Sequence, residues 1–183
     1  MRIIGGNWRG RRLASVGKGD TAAHLRPTTD RTRESLFNLL QNGTHGDLCT
    51  DARVLDIFAG TGALGLEALS RGADAAVFIE NGRKSQAILR ENIQMLGADA
   101  QVITRDARKA GPCPGAPFDL VFLDPPYGKS LGEAAVTALN DWIAPGAMLV
   151  WEDAKAPEVP GGFEQVDQRR YGETLITLVQ KTD

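Results

Sequence analysis

Beyond residue 50 the apolar positions gather into short unbroken runs: RVLDIF (53–58), AAVFIE (75–80), AQVIT (100–104), FDLVFLD (118–124) and GAMLVWE (146–152). A strand solvated on one face alternates, whereas a strand covered on both faces of a parallel sheet reads as a continuous apolar block. Between the runs the spacing becomes helical. GALGLEALSRG closes on Gly72, a residue suited to a helix C-terminus. GRKSQAILRENIQMLG carries Ile88, Ile93 and Leu96 before a stop at Gly97, and LGEAAVTALNDWI sets Leu131, Ala135, Leu139 and Trp142 on one face. This alternation of strand and helix predicts a doubly wound α/β fold.

Both ends of the chain break the rhythm. FEQVDQRRYG and ETLITLVQK follow one another with no helix between them, which predicts an antiparallel hairpin closing the sheet. Leu175, Ile176, Leu178 and Val179 cover both faces of the last strand, so it belongs inside the sheet and not at its edge. At the front, RIIGGNWRGRRL predicts a small β-hairpin. RPTTDRTRESLFNLL then places Pro27 before a helix capped by Thr29 or Asp30, with Leu36, Phe37 and Leu40 as its buried stripe. The chain thus divides into a basic β-hairpin extension, residues 1–28, and a domain over residues 29–183.

Charge changes this picture. The net charge of −2 conceals +6 over residues 1–33 and −8 over the remainder. A basic front end on an acidic body suggests a polyanionic partner. Arg9, Arg11, Arg12 and Arg26 are the candidate nucleic-acid contacts. Little else in the composition is specific. Cys49 and Cys113 stand alone, as do His24 and His45, so no metal site is expected. No run approaches the roughly 20 apolar residues of a membrane helix, and MRIIGGNWRG lacks a signal-peptide core. The expectation is a cytoplasmic monomer without membrane or metal.

Two motifs carry chemistry. VLDIFAGTGALG spaces Gly60, Gly62 and Gly65 as G-x-G-x-x-G between a strand and a helix, and Glu80 ends the next strand. That pattern alone fits NAD. Asp56, at the tip of the first strand, argues against a pyrophosphate and for a ligand bearing an ammonium group. S-adenosylmethionine bears one and has no phosphate. Its carboxylate would meet the loop amides at the helix N-terminus, and Glu80 its ribose hydroxyls. Asp106 would accept from its adenine amine, unless it merely caps the turn in RDARK. Phe58 and Thr61, in the same loop, are counted with these cofactor contacts.

The second motif is Asp124-Pro125-Pro126-Tyr127, where the fourth strand ends. In open α/β sheets ligands lie outside the carboxyl ends of the strands, so this motif faces the glycine loop. A nucleobase amine is a poor nucleophile because its lone pair is delocalised into the ring. Asp124 and the Pro125 carbonyl can each accept one of its N–H bonds and aim the lone pair at a methyl group. The prolines fix the backbone and supply no competing donors. The Tyr127 ring offers a stacking face for a base taken out of its stack.

RPTTDRTRESLFNLL, VLDIFAGTGALGLEALSRGA, FLDPPYG and the terminal RYGETLI together resemble the bacterial RsmD-type 16S rRNA (guanine-N2-)-methyltransferases, over nearly the whole chain. The resemblance implies a Rossmann-like class I methyltransferase with a seven-stranded, mostly parallel sheet and a C-terminal antiparallel hairpin. It implies S-adenosylmethionine as donor and guanine N2 of 16S rRNA as acceptor; a small-subunit particle is the expected setting of that rRNA. By position it makes Asp124 to Tyr127 catalytic, and Asp56, Gly60, Gly62, Glu80 and Asp106 cofactor contacts. A DNA adenine-N6 methyltransferase would use the same clamp, but 183 residues leave little room for a target-recognition segment. A protein-glutamine methyltransferase would more often carry Asn where Asp124 stands. A non-catalytic RNA-binding assembly factor would have no use for an intact clamp.

Overall fold

A computed structural model describes residues 1–15, 29–126 and 130–182. The apolar runs become β1 (Arg53–Ile57), β2 (Ala75–Ile79), β3 (Ala100–Ile103), β4 (Phe118–Leu123) and β5 (Ile143–Asp153). The terminal hairpin supplies β6 (Phe163–Tyr171) and β7 (Thr174–Lys181). Together they form one seven-stranded sheet in the order β3-β2-β1-β4-β5-β7-β6. The first five strands pair in parallel, and β7 lies antiparallel between β5 and β6. Its apolar residues on both faces therefore have cover on both, as expected. This is the class I methyltransferase fold.

Helices α1 (Asp30–Asn42), α2 (Ala63–Ser70) and α3 (Arg83–Leu96) cover one face of the sheet, and α4 (Leu131–Ala138) the other. Phe78, Phe122 and Val150 point toward the first group, where Phe122 meets Phe37 of α1 with ring centroids 5.7 Å apart. Leu55, Leu123, Leu149 and Trp151 point toward α4. Thr29 caps α1 by accepting the Thr32 N–H at 3.2 Å. In α3 the buried positions are Leu89, Asn92 and Leu96, while Ile88 and Ile93 are half-buried. The helix ends at Gly97, which has φ +63°. The third predicted helix is shorter than its pattern. It ends at Ala138, and a 3-10 turn over Asn140–Trp142 follows, because Trp142 turns inward onto Phe118 and donates its indole N–H to the Gly111 carbonyl at 3.2 Å.

The front end is less regular than a hairpin. Arg2 and Arg12 form a single antiparallel bridge, and a 3-10 turn over Gly6–Trp8 occupies the tip. Ile3 and Leu13 enter the core beneath α1–α3. The segment is fastened to α2 by Glu67, whose carboxylate accepts the N–H groups of Ile4 and Gly5, each at 2.8 Å. Ser70 adds two bonds, accepting from Trp8 N–H at 2.9 Å and donating to the Gly5 carbonyl at 2.6 Å. Glu67 is fully buried and pairs with Arg71 at 2.8 Å and with Arg33 at 3.8 Å. Arg33 also has no solvent exposure, and it donates to Asp30 and to the Arg2 carbonyl, each at 2.7 Å. A residue that the sequence places in a basic surface is therefore an internal strut.

Candidate active site

The glycine loop begins where β1 stops. Phe58 and Gly60 take positive φ values of +61° and +55°, which break the strand and fold the chain back over its end. Gly62, at φ +79°, is the N-cap of α2, and a Cβ on it would lie 2.4 Å from Leu89 of α3. The third glycine serves packing. A Cβ on Gly65 would lie 2.5 Å from the Phe78 ring and 3.1 Å from Asp56 Oδ2. Each glycine of the motif thus answers a separate steric demand. The first amides of α2 have no partner within the helix, and they lie at the positive end of its dipole.

Asp56 aligns with Phe78 and Phe122 on neighbouring strands and shares their face of the sheet. It is 3% exposed and accepts the Gly65 N–H at 2.9 Å. Burial pushes its carboxyl up to about 8; the Gly65 bond opposes this and the Glu80 charge adds to it. Glu80 follows β2 and grips the loop, accepting from Gly60 N–H at 2.8 Å and from Gly82 N–H at 2.6 Å. One carboxylate therefore ties the glycine loop to the start of α3.

Asp124 leaves β4 directly after Leu123, which pairs with Ile57 of β1 on one side and Trp151 of β5 on the other. Its carboxyl lies well above the usual carboxylate range, first through burial and then through the charges of Glu152, Asp56 and Asp153. Pro125 behind it is buried and Pro126 half-buried. Asp56, the glycine loop with Thr61, Glu80 and Asp124 therefore meet at the carboxyl ends of β1, β2 and β4. Glu152 belongs with them, buried at the end of β5. A carboxylate closing the otherwise apolar MLVWE run was the signal for it in the sequence.

Other predicted residues sit apart or in different surroundings. Phe58 packs against the α4 side of the core. Asp106 caps the short turn over Ala107–Lys109, accepting the Arg108 N–H at 2.9 Å and pairing with its guanidinium at 2.5 Å. The Arg108 bonds draw its carboxyl down to about 2. Of the two roles expected for Asp106, the structure displays the capping one. Arg9, Arg11 and Arg12 are exposed on the front end, with Arg11 donating to the Met95 carbonyl at 2.8 Å. Tyr127 and Arg26 lie outside the described residues.

Comparisons with known proteins supply the family. A family model described as conserved hypothetical protein 95 matches residues 1–180. Ribosomal RNA small subunit methyltransferase D of Escherichia coli K12 is 38% identical over 187 residues, covering 99% of this chain and 90% of the relative. The chain belongs to this family. The Haemophilus influenzae member is 40% identical over 162 residues, covering 85% of this chain and 79% of that protein. The solved structure of Escherichia coli yhhF superposes with a TM-score of 0.84 at 40% identity, spanning 100% of this chain and 98% of the other. Family membership makes the chain a methyltransferase.

Proposed function

We propose that this chain transfers a methyl group from S-adenosylmethionine to the exocyclic N2 amine of a guanine in 16S ribosomal RNA of the small subunit. The observation that carries the reading is the placement of Asp124 one strand from the glycine loop, in a crevice ringed by carboxylates. The donor set suits S-adenosylmethionine. Asp56, Asp124 and Glu152 favour a ligand carrying ammonium and sulfonium charges, and the α2 N-terminus favours its carboxylate. A pyrophosphate would meet Glu80 as a repulsive neighbour and would do nothing to stabilise the Asp56 carboxylate. Asp56 and the α2 amides would hold the amino-acid end and Glu80 the ribose. Asp106 would reach the adenine amine by giving up Arg108.

When bound, S-adenosylmethionine supplies an activated methyl group on a sulfonium, so alignment provides most of the remaining catalysis. A cation beside Asp124 favours its carboxylate form and makes it an acceptor for one N–H of the guanine amine. The Pro125 carbonyl accepts the other, and Tyr127 stacks on the base. After transfer the nitrogen sheds a proton, and the Asp124 carboxyl, raised by burial and by its acidic neighbours, can take it. The front-end arginines bind phosphates and carry no sequence information. The reading includes a cytoplasmic location and a small-subunit particle as substrate. Incubating the protein with labelled S-adenosylmethionine and small subunits from a strain lacking the enzyme, then digesting the RNA to nucleosides, tests it. N2-methylguanosine is expected; no label in subunits or naked 16S rRNA, or label in another nucleoside, refutes it.

A further inference from the structure

Asn92 is a polar residue on the buried stripe of α3, with no solvent exposure, between Leu89 and Leu96. Its Oδ1 accepts the Ala14 N–H at 2.7 Å, and its Nδ2 donates to the Ala14 carbonyl at 3.1 Å. The same Nδ2 donates to the Thr61 carbonyl at 3.0 Å. Two carbonyls on one side and one N–H on the other leave a single sensible orientation for the amide. The bonds to Ala14 imitate a strand neighbour and clip the front-end backbone to α3. The bond to Thr61 fixes a peptide of the glycine loop. The N–H of that same peptide, on Gly62, donates to the Ala59 carbonyl at 2.7 Å. Held at both ends, the peptide plane cannot rotate, and the first amides of α2 keep their aim. Leu89, one turn earlier on α3, closes against Gly62 from the same side.

We propose that Asn92 is a positioning residue for methyl transfer, a single side chain that holds the cofactor loop and the basic front end in one frame. The inference rests on the assignment of the glycine loop to S-adenosylmethionine. It separates Asn92 from the other anchors of the front end, because Ser70 and Glu67 grip that segment without bonding the loop.

The test uses the full chain with Asn92→Leu, Asn92→Asp and, as a control, Ser70→Ala. S-adenosylmethionine affinity is measured by calorimetry, KM and kcat with small subunits, and stability by thermal denaturation. Loss of the Thr61 bond leaves a buried carbonyl unsatisfied and the loop free to leave its binding conformation. The dissociation constant in Asn92→Leu is expected to rise about tenfold, and the subunit KM with it. Ser70→Ala loosens the front end alone, so it should raise the subunit KM and leave cofactor affinity within about twofold, since no loop bond is lost. Asn92→Asp keeps the acceptor for Ala14 and loses the donor to Thr61, and should weaken cofactor binding about fivefold or more. Cofactor affinity unchanged in folded Asn92→Leu, or lowered equally in Ser70→Ala, overturns the inference. If Asn92→Leu does not fold, Asn92→Asp decides by the same criterion. A wild-type protein that fails to bind S-adenosylmethionine refutes the loop assignment itself, a different outcome from failure of the Asn92 variants.

Discussion

Asp56 should lose a proton when S-adenosylmethionine binds. Its carboxyl is pushed up to about 8 by burial, so in the cofactor-free protein it is about nine-tenths protonated at pH 7. An ammonium group beside it favours the carboxylate. Binding at pH 7 should therefore expel close to one proton from this residue, about 0.9 by the same fraction. The affinity should also climb about tenfold between pH 6 and pH 7 and level off near pH 8, because one unit of unfavourable ionisation costs about 1.4 kcal/mol. Calorimetric titration in buffers of different ionisation enthalpy measures the proton count as a slope. Asp56→Asn preserves an acceptor for the Gly65 N–H but cannot ionise, and the difference between wild type and variant cancels the ligand's own contribution. Equal slopes in the two proteins would show that Asp56 does not meet the ammonium. The sign for stability follows from the same shift. A carboxyl raised in the folded state costs nothing below its unfolded value near 4, and the cost grows as pH rises through about 8. Cofactor-free Asp56→Asn should accordingly gain stability over wild type above pH 8 and match it below pH 4.

Asp124→Ala should reduce methyl transfer by about 10²–10³ while S-adenosylmethionine affinity stays within a few-fold, and loss of cofactor binding in the folded variant would contradict an acceptor-side role. Glu67→Ala removes the acceptor of Ile4 and Gly5 and leaves the guanidinium of fully buried Arg33 without its internal carboxylate; denaturant unfolding should report a loss of about 3–5 kcal/mol, and a loss below 1 would mean Asp30 alone satisfies Arg33. Replacing Arg9, Arg11 and Arg12 together with alanine should flatten the salt dependence of subunit binding by about two units without moving cofactor affinity, and an unchanged slope would place the RNA contacts elsewhere.

The sheet was legible because buried parallel strands leave continuous apolar blocks, and the interior position of β7 because both of its faces are apolar. The glycine loop was legible because few other residues tolerate its positive φ angles and close contacts. What escaped was mostly buried polarity. Arg33 precedes Leu36, Phe37 and Leu40 at helical spacing, so the stripe itself placed an arginine in the interior. Asn92 falls in the same way between Leu89 and Leu96. Glu67 lies on α2, a helix with buried residues on nearly every side. A charge or amide on an apolar stripe needs a tertiary partner, and a linear pattern cannot say which one. The partners here are backbone groups of the front end, more than 60 positions away for Glu67. The early end of α4 escaped for a related reason: Trp142 found a better surface on Phe118 than the helical face offered.

On the proposed reading, the buried polar residues also explain how a protein with an acidic body would act on RNA. Arg33 is spent internally and Arg2 pairs with Asp30 at 3.2 Å, so part of the front end's formal charge is engaged within the protein. Arg9, Arg11 and Arg12 remain exposed on a segment that Glu67, Ser70 and Asn92 fasten to α2 and α3. The site at the strand ends is lined instead by the acidic groups of Asp56, Glu80, Asp124 and Glu152, of which Asp56 and Asp124 keep their protons until a cation binds. A polyanionic backbone is drawn to the first surface and repelled by the second. On the proposed reading, only an uncharged base and a cationic cofactor are favoured inside the crevice, so the same separation of charge that looks adverse to RNA binding keeps phosphates out of the site where the amine must sit. The rigid attachment of the front end then gives the phosphate contacts a fixed offset from the cofactor loop. That offset, and not any reading of base sequence by the arginines, would decide which nucleotide can reach Asp124.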